Sequence, residues 1–333
     1  AGPRVVGMYQ EPLSIEEQLT EAQRAQRQAK QLSGILKRNK IRIKNAVFCI
    51  PGQTVFVRRF SLPKASPERM NRMVRFEARQ LIPFPLDQTI MEYQVSEDDD
   101  GEQFQVLLVA IKKEFILNFM RLVKRSGLTA LAISVSTLAL YNFHELNSSD
   151  RDLLAVHGSG KKGGKKKRAE VETKDESGSD DEIEVGADET AGGGAYEEIQ
   201  AYVNLGASLM DIVIPKPGRE RMLGFPRSVP LAGNQMDQAI QDRIGLDDIV
   251  QARTIKEEQV AILGTDFELE GDSDSVNMDA SEAVTAVADR LVSELRRSLD
   301  YYISQPDGVA VDSVVLSGGL AGIPFLGQYV EEK

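Results

Sequence analysis

The residues most able to touch a ligand lie in the run Val314-Val315-Leu316-Ser317-Gly318-Gly319-Leu320-Ala321-Gly322-Ile323-Pro324. An apolar β stretch stops at paired glycines, and Pro324 is expected to open a helix. Glycines carry no Cβ, so a ligand can approach the main chain. A helix N-terminus just beyond would offer free N–H groups to polar ligand atoms. Corners of this kind also occur where nothing binds. A second candidate is the turn Gly206-Ala207-Ser208, between apolar runs at 200–205 and 210–215. Read alone, it is also an ordinary hairpin turn. A third is Leu81-Ile82-Pro83-Phe84-Pro85, which by itself is a helix stop with an apolar plug.

Other chemistries find little support. The two histidines, His144 and His157, have no Cys or His at ligand spacing, so no zinc site is expected. The single cysteine, Cys49, lies in an apolar run and reads as a buried small hydrophobe. The net charge of −11 argues against nucleic acid, whose phosphates it would repel. The cluster from Lys161 to Arg168 reads either as a basic patch or as part of a solvated, charge-segregated loop. No apolar stretch reaches about 18 residues, and the N-terminal residues show no signal-peptide core. The chain is expected to be cytoplasmic, with membrane contact only through partners.

The elements that must position these residues follow from periodicity. The 333 residues, 41% of them hydrophobic, can build more than one core. A strand is expected at Arg4 to Tyr9 and a helix at Ile15 to Leu36 with Ser14 as its cap. Strands follow at Ala46 to Ile50 and Val55 to Phe60, around the turn Pro51-Gly52. Ser66-Pro67 starts a helix whose apolar face holds Met70, Met73, Val74, Ala78 and Leu81. Two strands then flank an acidic loop at 97–102, and the second, Phe104 to Ile111, reads as buried. A helix around Phe115 to Val123 ends at Gly127. A strand near Leu128 to Val135 and a helix near Leu138 to Leu146 close the first half. Ser148 to Gly194 carries too few apolar residues to offset its ordering entropy and reads as disordered. The second half adds the hairpin, a third strand, two short helices and a long helix from about Ser281 to Tyr302.

This arrangement resembles the actin-like ATPase superfamily, and within it the PilM family of type IV pilus assembly proteins. The most specific segment is Glu77-Ala78-Arg79-Gln80-Leu81-Ile82-Pro83-Phe84-Pro85-Leu86, after Arg59-Phe60-Ser61-Leu62-Pro63. Tyr202 to Ser208 is similar to the superfamily's second phosphate hairpin, and Gly318-Gly319 to its adenosine motif. The resemblance implies an α/β, ribonuclease-H-like two-lobed fold with an inserted subdomain of the FtsA and PilM type. The implied division is 1–61 first core subdomain, 62–135 insertion, 136–147 return to the core, and 148–194 charged loop. It continues as 195–222 second core subdomain, 223–274 small subdomain and 275–333 second core again.

The implied nucleotide is ATP or ADP with Mg²⁺, at Asn204, Gly206, Ala207, Ser208, Gly318, Gly319 and Leu320. The implied partner is the cytoplasmic N-terminal tail of a PilN-like membrane protein, near Ile82, Pro83, Phe84 and Pro85. Other pilus or secretion platform proteins are further implied partners, with a location at the inner membrane's cytoplasmic face. Three departures matter. Asn204 stands where the superfamily has Asp, and Met210 where a hydroxyl is usual. The superfamily's first phosphate loop has no counterpart here. An amide lacks the charge that attracts a metal-bound water. The resemblance therefore implies a scaffold with at most weak ATP hydrolysis, no catalytic residue and no metal ligand. The alternatives are an active actin-like ATPase whose first phosphate loop is missing from this chain, and an FtsA-like filament or division protein.

Overall fold

The computed structural model describes residues 5–11, 20–97, 101–145, 198–216, 222–264 and 277–333. The charged segment from Ser148 to Gly194 lies outside them, as do Ser14 and Ile15. Three sheets carry the described fold. β1 (Asn45–Ile50) and β5 (Thr129–Val135) form a parallel pair. β2 (Phe56–Pro63), β3 (Thr89–Glu97) and β4 (Gln103–Lys112) form an antiparallel sheet ordered β2-β4-β3. β6 (Gln200–Leu205), β7 (Met210–Lys216), β8 (Met222–Val229) and β9 (Ser313–Ser317) form the third, ordered β8-β7-β6-β9.

Helices cover these sheets where the sequence carries apolar stripes. α1 (Glu21–Arg38) starts at Thr20, which forms a capping box with Gln23. α2 (Pro67–Leu81) has Ser66 as its cap, and its Met70, Val74 and Ala78 are buried. α3 (Lys113–Arg125) runs back towards the first sheet, and α4 occupies residues 136–145. In the second half, α5 (Gly233–Ile244) and α6 (Ile249–Glu258) pack beside α7 (Met278–Ile303), and α8 (Leu326–Glu332) follows β9.

β4 reads as a continuous apolar run because both of its faces are covered. Val106, Leu108 and Ala110 pack with Val74 and Ala78 of α2. Leu107 packs instead with Tyr141 of α4 and with Val213 and Leu223 of the second half. Ile111 packs with Ile50 and Val135 of the first sheet. Burying each such Val, Leu or Ile side chain is worth about 1.5–3 kcal/mol.

Strand pairing moves several expected boundaries. β5 lies beside β1 and β2 beside β4, so the inserted sheet takes in 56–63 and leaves out 129–135. The second core sheet continues through β8 to Val229, past the expected subdomain border at 222. Residues 5–11 are not a strand: among the described residues, no strand pairs with them to take up their backbone hydrogen bonds. Cys49 is exposed, not buried. Helices cover the Phe48 and Ile50 side of β1, with Phe48 edge-on to Phe119 at 5.5 Å, while Val47 and Cys49 point the other way. Pro324 does not open the last helix. Gly319–Gly322 form a 3₁₀ turn, Phe325 is left-handed at φ 67°, and α8 starts at Leu326.

Tyr329 ties α8 to α7 by donating its hydroxyl to Asp289. Burial first, then the Asp289 carboxylate, push this phenol up to about 12. A free tyrosine titrates near 10. The raised value means the contact contributes fully below about pH 10 and is lost as pH rises through about 12. Tyr329→Phe should lower the urea-unfolding free energy at pH 8 by about 1–3 kcal/mol. It should also flatten the fall in stability between about pH 10 and 12. Equal alkaline slopes for both proteins would remove this contact from the account.

Candidate functional site

β6 and β9 are parallel neighbours, and Asn204 lies opposite Ser317. The turn after β6 and the corner after β9 therefore open at the same end of the sheet. Gly206 N–H closes the turn on the Leu209 carbonyl at 2.9 Å. Gly318 has φ 91° and ψ 174°, a conformation essentially reserved for glycine. A Cβ there would sit 2.5 Å from the Leu205 carbonyl oxygen and 2.8 Å from Asn204 Oδ1. A Cβ on Gly206 would be 3.9 Å from Asn204 Nδ2. The Asn204 carboxamide thus sits between the two glycines. Gly319 differs: a Cβ there meets nothing within 4 Å. Ala207, Ser208, Gly318 and Gly319 are exposed, Asn204 and Gly206 half-buried, and Leu320 buried.

The N-terminus of α5 completes the cluster. Gly233 and Asn234 donate their N–H groups to the Gly206 and Ala207 carbonyls at 3.1 and 2.7 Å. Asn234 Nδ2 donates to Ser208 Oγ at 3.0 Å. Gly233 also packs on Leu320 Cδ2, 3.2 Å from where its Cβ would be. Asp237, only 1% exposed, fixes this geometry from below. Its carboxylate meets Arg253 Nε at 3.2 Å and Lys256 Nζ at 2.5 Å. Lys256 in turn donates to the Gly233 carbonyl at 3.3 Å. Sequence reasoning missed Gly233, Asp237 and Lys256. The one available signal was an acid at 237 beside the apolar Met236, on the same stripe as Ile240.

The main chain at 207–208 and 318–319 is exposed, and a phosphate or adenosine contact made there would need no acid. Magnesium fits poorly. Asn204 carries no charge, and its cross-strand neighbour Asp211 is 3% exposed and accepts from Ser228 Oγ. Asp237 is engaged by two cations. Among the described residues, no three His, Cys, Asp or Glu side chains gather as a metal would need.

The third expected segment, 81–85, lies beside the inserted sheet, between α2 and β3. Ile82 is 6% exposed and belongs to the core against α2, so it is unable to meet a partner. Pro83 and Pro85 are exposed. Phe84 is half-buried beneath Lys112 Nζ, 5.9 Å from the ring centroid. It lines a groove of about 410 Å³ with Asp87, Gln88 and, from α3, Leu117 and Arg121.

The two glycines should respond differently. Gly318→Ala should cost at least about 1–3 kcal/mol, from the forbidden backbone and the clash with Leu205. Gly319→Ala should leave the thermal midpoint nearly unchanged, since its Cβ would enter open space. Equal losses in a melting experiment would contradict this assignment.

Residues 9–153 match the family model described as Type IV pilus assembly protein PilM. Among solved structures, the chain is similar to a PilM–PilN type IV pilus biogenesis complex, with a TM-score of 0.65 and 18% identity. That match covers 96% of this chain and 76% of the other, and it shows the fold. Weaker matches include the cytoplasmic domain of EpsL, an inner-membrane component of the Vibrio cholerae type II secretion system. Its TM-score is 0.35 at 8% identity, covering 79% of this chain and 80% of that one. The apo psk41 ParM protein gives 0.33 at 8% identity, covering 95% and 66%. Neither weaker match adds to the assignment. Residues 9–153 are thus similar to the Type IV pilus assembly protein PilM family, and the sheets and helices form the same α/β fold as the solved PilM–PilN complex.

Proposed function

We propose that this protein is a scaffold of the type IV pilus assembly platform, which captures the cytoplasmic N-terminal tail of a PilN-like membrane protein. The groove between Phe84 and α3 carries the reading. It offers an aromatic side chain, the exposed Leu117 and Met120 nearby, and cations from Lys112, Lys113 and Arg121. Leu117 is 57% exposed on a helix whose other side packs against a sheet. An extended peptide with apolar anchors suits such a groove, because its side chains alternate between pocket and solvent. The similar PilM–PilN complex supports the choice of partner. Capture of a membrane protein's tail would hold the chain at the inner membrane from the cytoplasmic side. Among the described residues, no helix is long and apolar enough to cross a membrane.

The cluster at Asn204 and Gly318 takes a structural or weak nucleotide-binding role in this reading. Exposed main-chain groups at 207–208 and 318–319 can meet ATP or ADP, while the neutral Asn204 and the engaged Asp237 leave Mg²⁺ poorly held. Phosphoryl transfer needs metal and phosphates positioned together.

A fluorescent peptide copying the N-terminal tail of a PilN-like protein should bind saturably, as read by anisotropy. Phe84→Ala and Leu117→Asp should each weaken binding about tenfold, equivalent to about 1.4 kcal/mol. Ile82→Val should leave it unchanged. Undiminished binding by both groove variants would move the tail elsewhere. Failure of every pilus-type tail to bind would overturn the scaffold reading.

A further inference from the structure

A second cavity lies where the inserted sheet meets the second half. It encloses about 320 Å³ between β2, β4, β8 and the C-terminal end of α7. That volume is at the lower end of small-molecule sites. Its floor holds Arg59, whose side chain is only 15% exposed. Arg59 Nη2 pairs with Asp307, but Nη1 is buried with no hydrogen-bond partner. A buried guanidinium nitrogen left unpartnered is costly, and such an atom calls for an explanation. Asp307 itself is half exposed at the cavity mouth, so its carboxylate can leave without being buried elsewhere.

The walls are flat and aromatic. Phe225 stands 5.9 Å from Tyr301 and 5.8 Å from Tyr302, ring to ring. Burial pushes the Tyr302 phenol above its ordinary value, so that wall stays neutral. Gln105, 7% exposed, donates Nε2 to Ser61 Oγ at 2.9 Å and fixes the polar edge. A bulge shapes the opposite rim: register slips between Ile214 and Pro215. Gly224 fits there because a Cβ would lie 2.8 Å from the Ile214 carbonyl oxygen. Bulges of this kind are over-represented beside sites.

We infer that this cavity binds a small organic anion, a flat apolar body ending in a carboxylate or phosphate. Its oxyanion takes the Arg59 fork in place of Asp307, and its body lies against Phe225 and Tyr301. Guanidinium offers paired donors that match carboxylate and phosphate oxygens. Asp307 holds the empty site as a resident competitor. The site is separate from the groove at Phe84, so its fate leaves the scaffold reading untouched.

Benzoate and phenyl phosphate, titrated into the whole protein by calorimetry, separate the two anion types. At least one should bind saturably below about 10 mM. Asp307→Asn should tighten that probe at least about threefold by removing the competitor, and Arg59→Gln should weaken it about tenfold. Tyr301→Ala, at a half-exposed residue, should weaken it while the circular dichroism of the fold is unchanged. The better of the two probes names the headgroup. Saturation by neither probe in wild type and Asp307→Asn would overturn the inference. So would undiminished binding by a folded Arg59→Gln or Tyr301→Ala protein.

Discussion

The alternation of side chains along β4 is the constraint on which the rest of the molecule depends. A strand sends neighbours to opposite faces, so one run of residues can serve two cores. Here Leu108 and Ala110 close the inserted core on α2, while Leu107 and Ile111 face the other way. Leu107 meets Val213 and Leu223 of the second half, and Ile111 meets the β1–β5 pair. A one-residue slip in β4 would exchange these sets and uncover all three contacts. The antiparallel neighbours β2 and β3 hold the register on both sides.

That fixed register explains where binding surfaces arise. β3 and the turn holding Phe84 are carried on one edge of the inserted sheet, beside α3. β2 forms the other edge and brings Arg59 to Asp307 in the second half. The two surfaces face different neighbours because one central strand separates them. The cluster at Asn204, Gly206 and Gly318 belongs to a third place, the end of the second core sheet. Its local order comes from Gly233 and the buried Asp237 pairs. Removing one partner of such a buried pair would cost about 3–5 kcal/mol, so its first role is architectural.

Much of this was legible in the sequence. The Ser66-Pro67 helix start, the buried run at 104–111, the hairpin at 206–208 and the glycine corner all stand where periodicity and turn chemistry placed them. Local signals suffice for such elements. The expected strand at residues 5–9 and the burial of Cys49 failed because both depend on layers that lie outside the local pattern. The subdomain borders shifted because partner choice among strands is nonlocal: nothing near Thr129 announces pairing with Asn45. Ile82 and Phe84 were read together as one contact segment, yet the helix end turns the first inward and leaves the second at a groove. Asp237 with Lys256, and Arg59 with Asp307, are separated by 19 and 248 residues, so no short motif could reveal them.

Native-state hydrogen exchange along β4 tests the shared strand most directly. If β4 couples the three cores, the amides of Val106 to Ala110 exchange only through global unfolding, with the same free energy and denaturant dependence as those of β6. Exchange of the β4 amides through a separate, lower-energy opening while β6 stays protected would contradict the account.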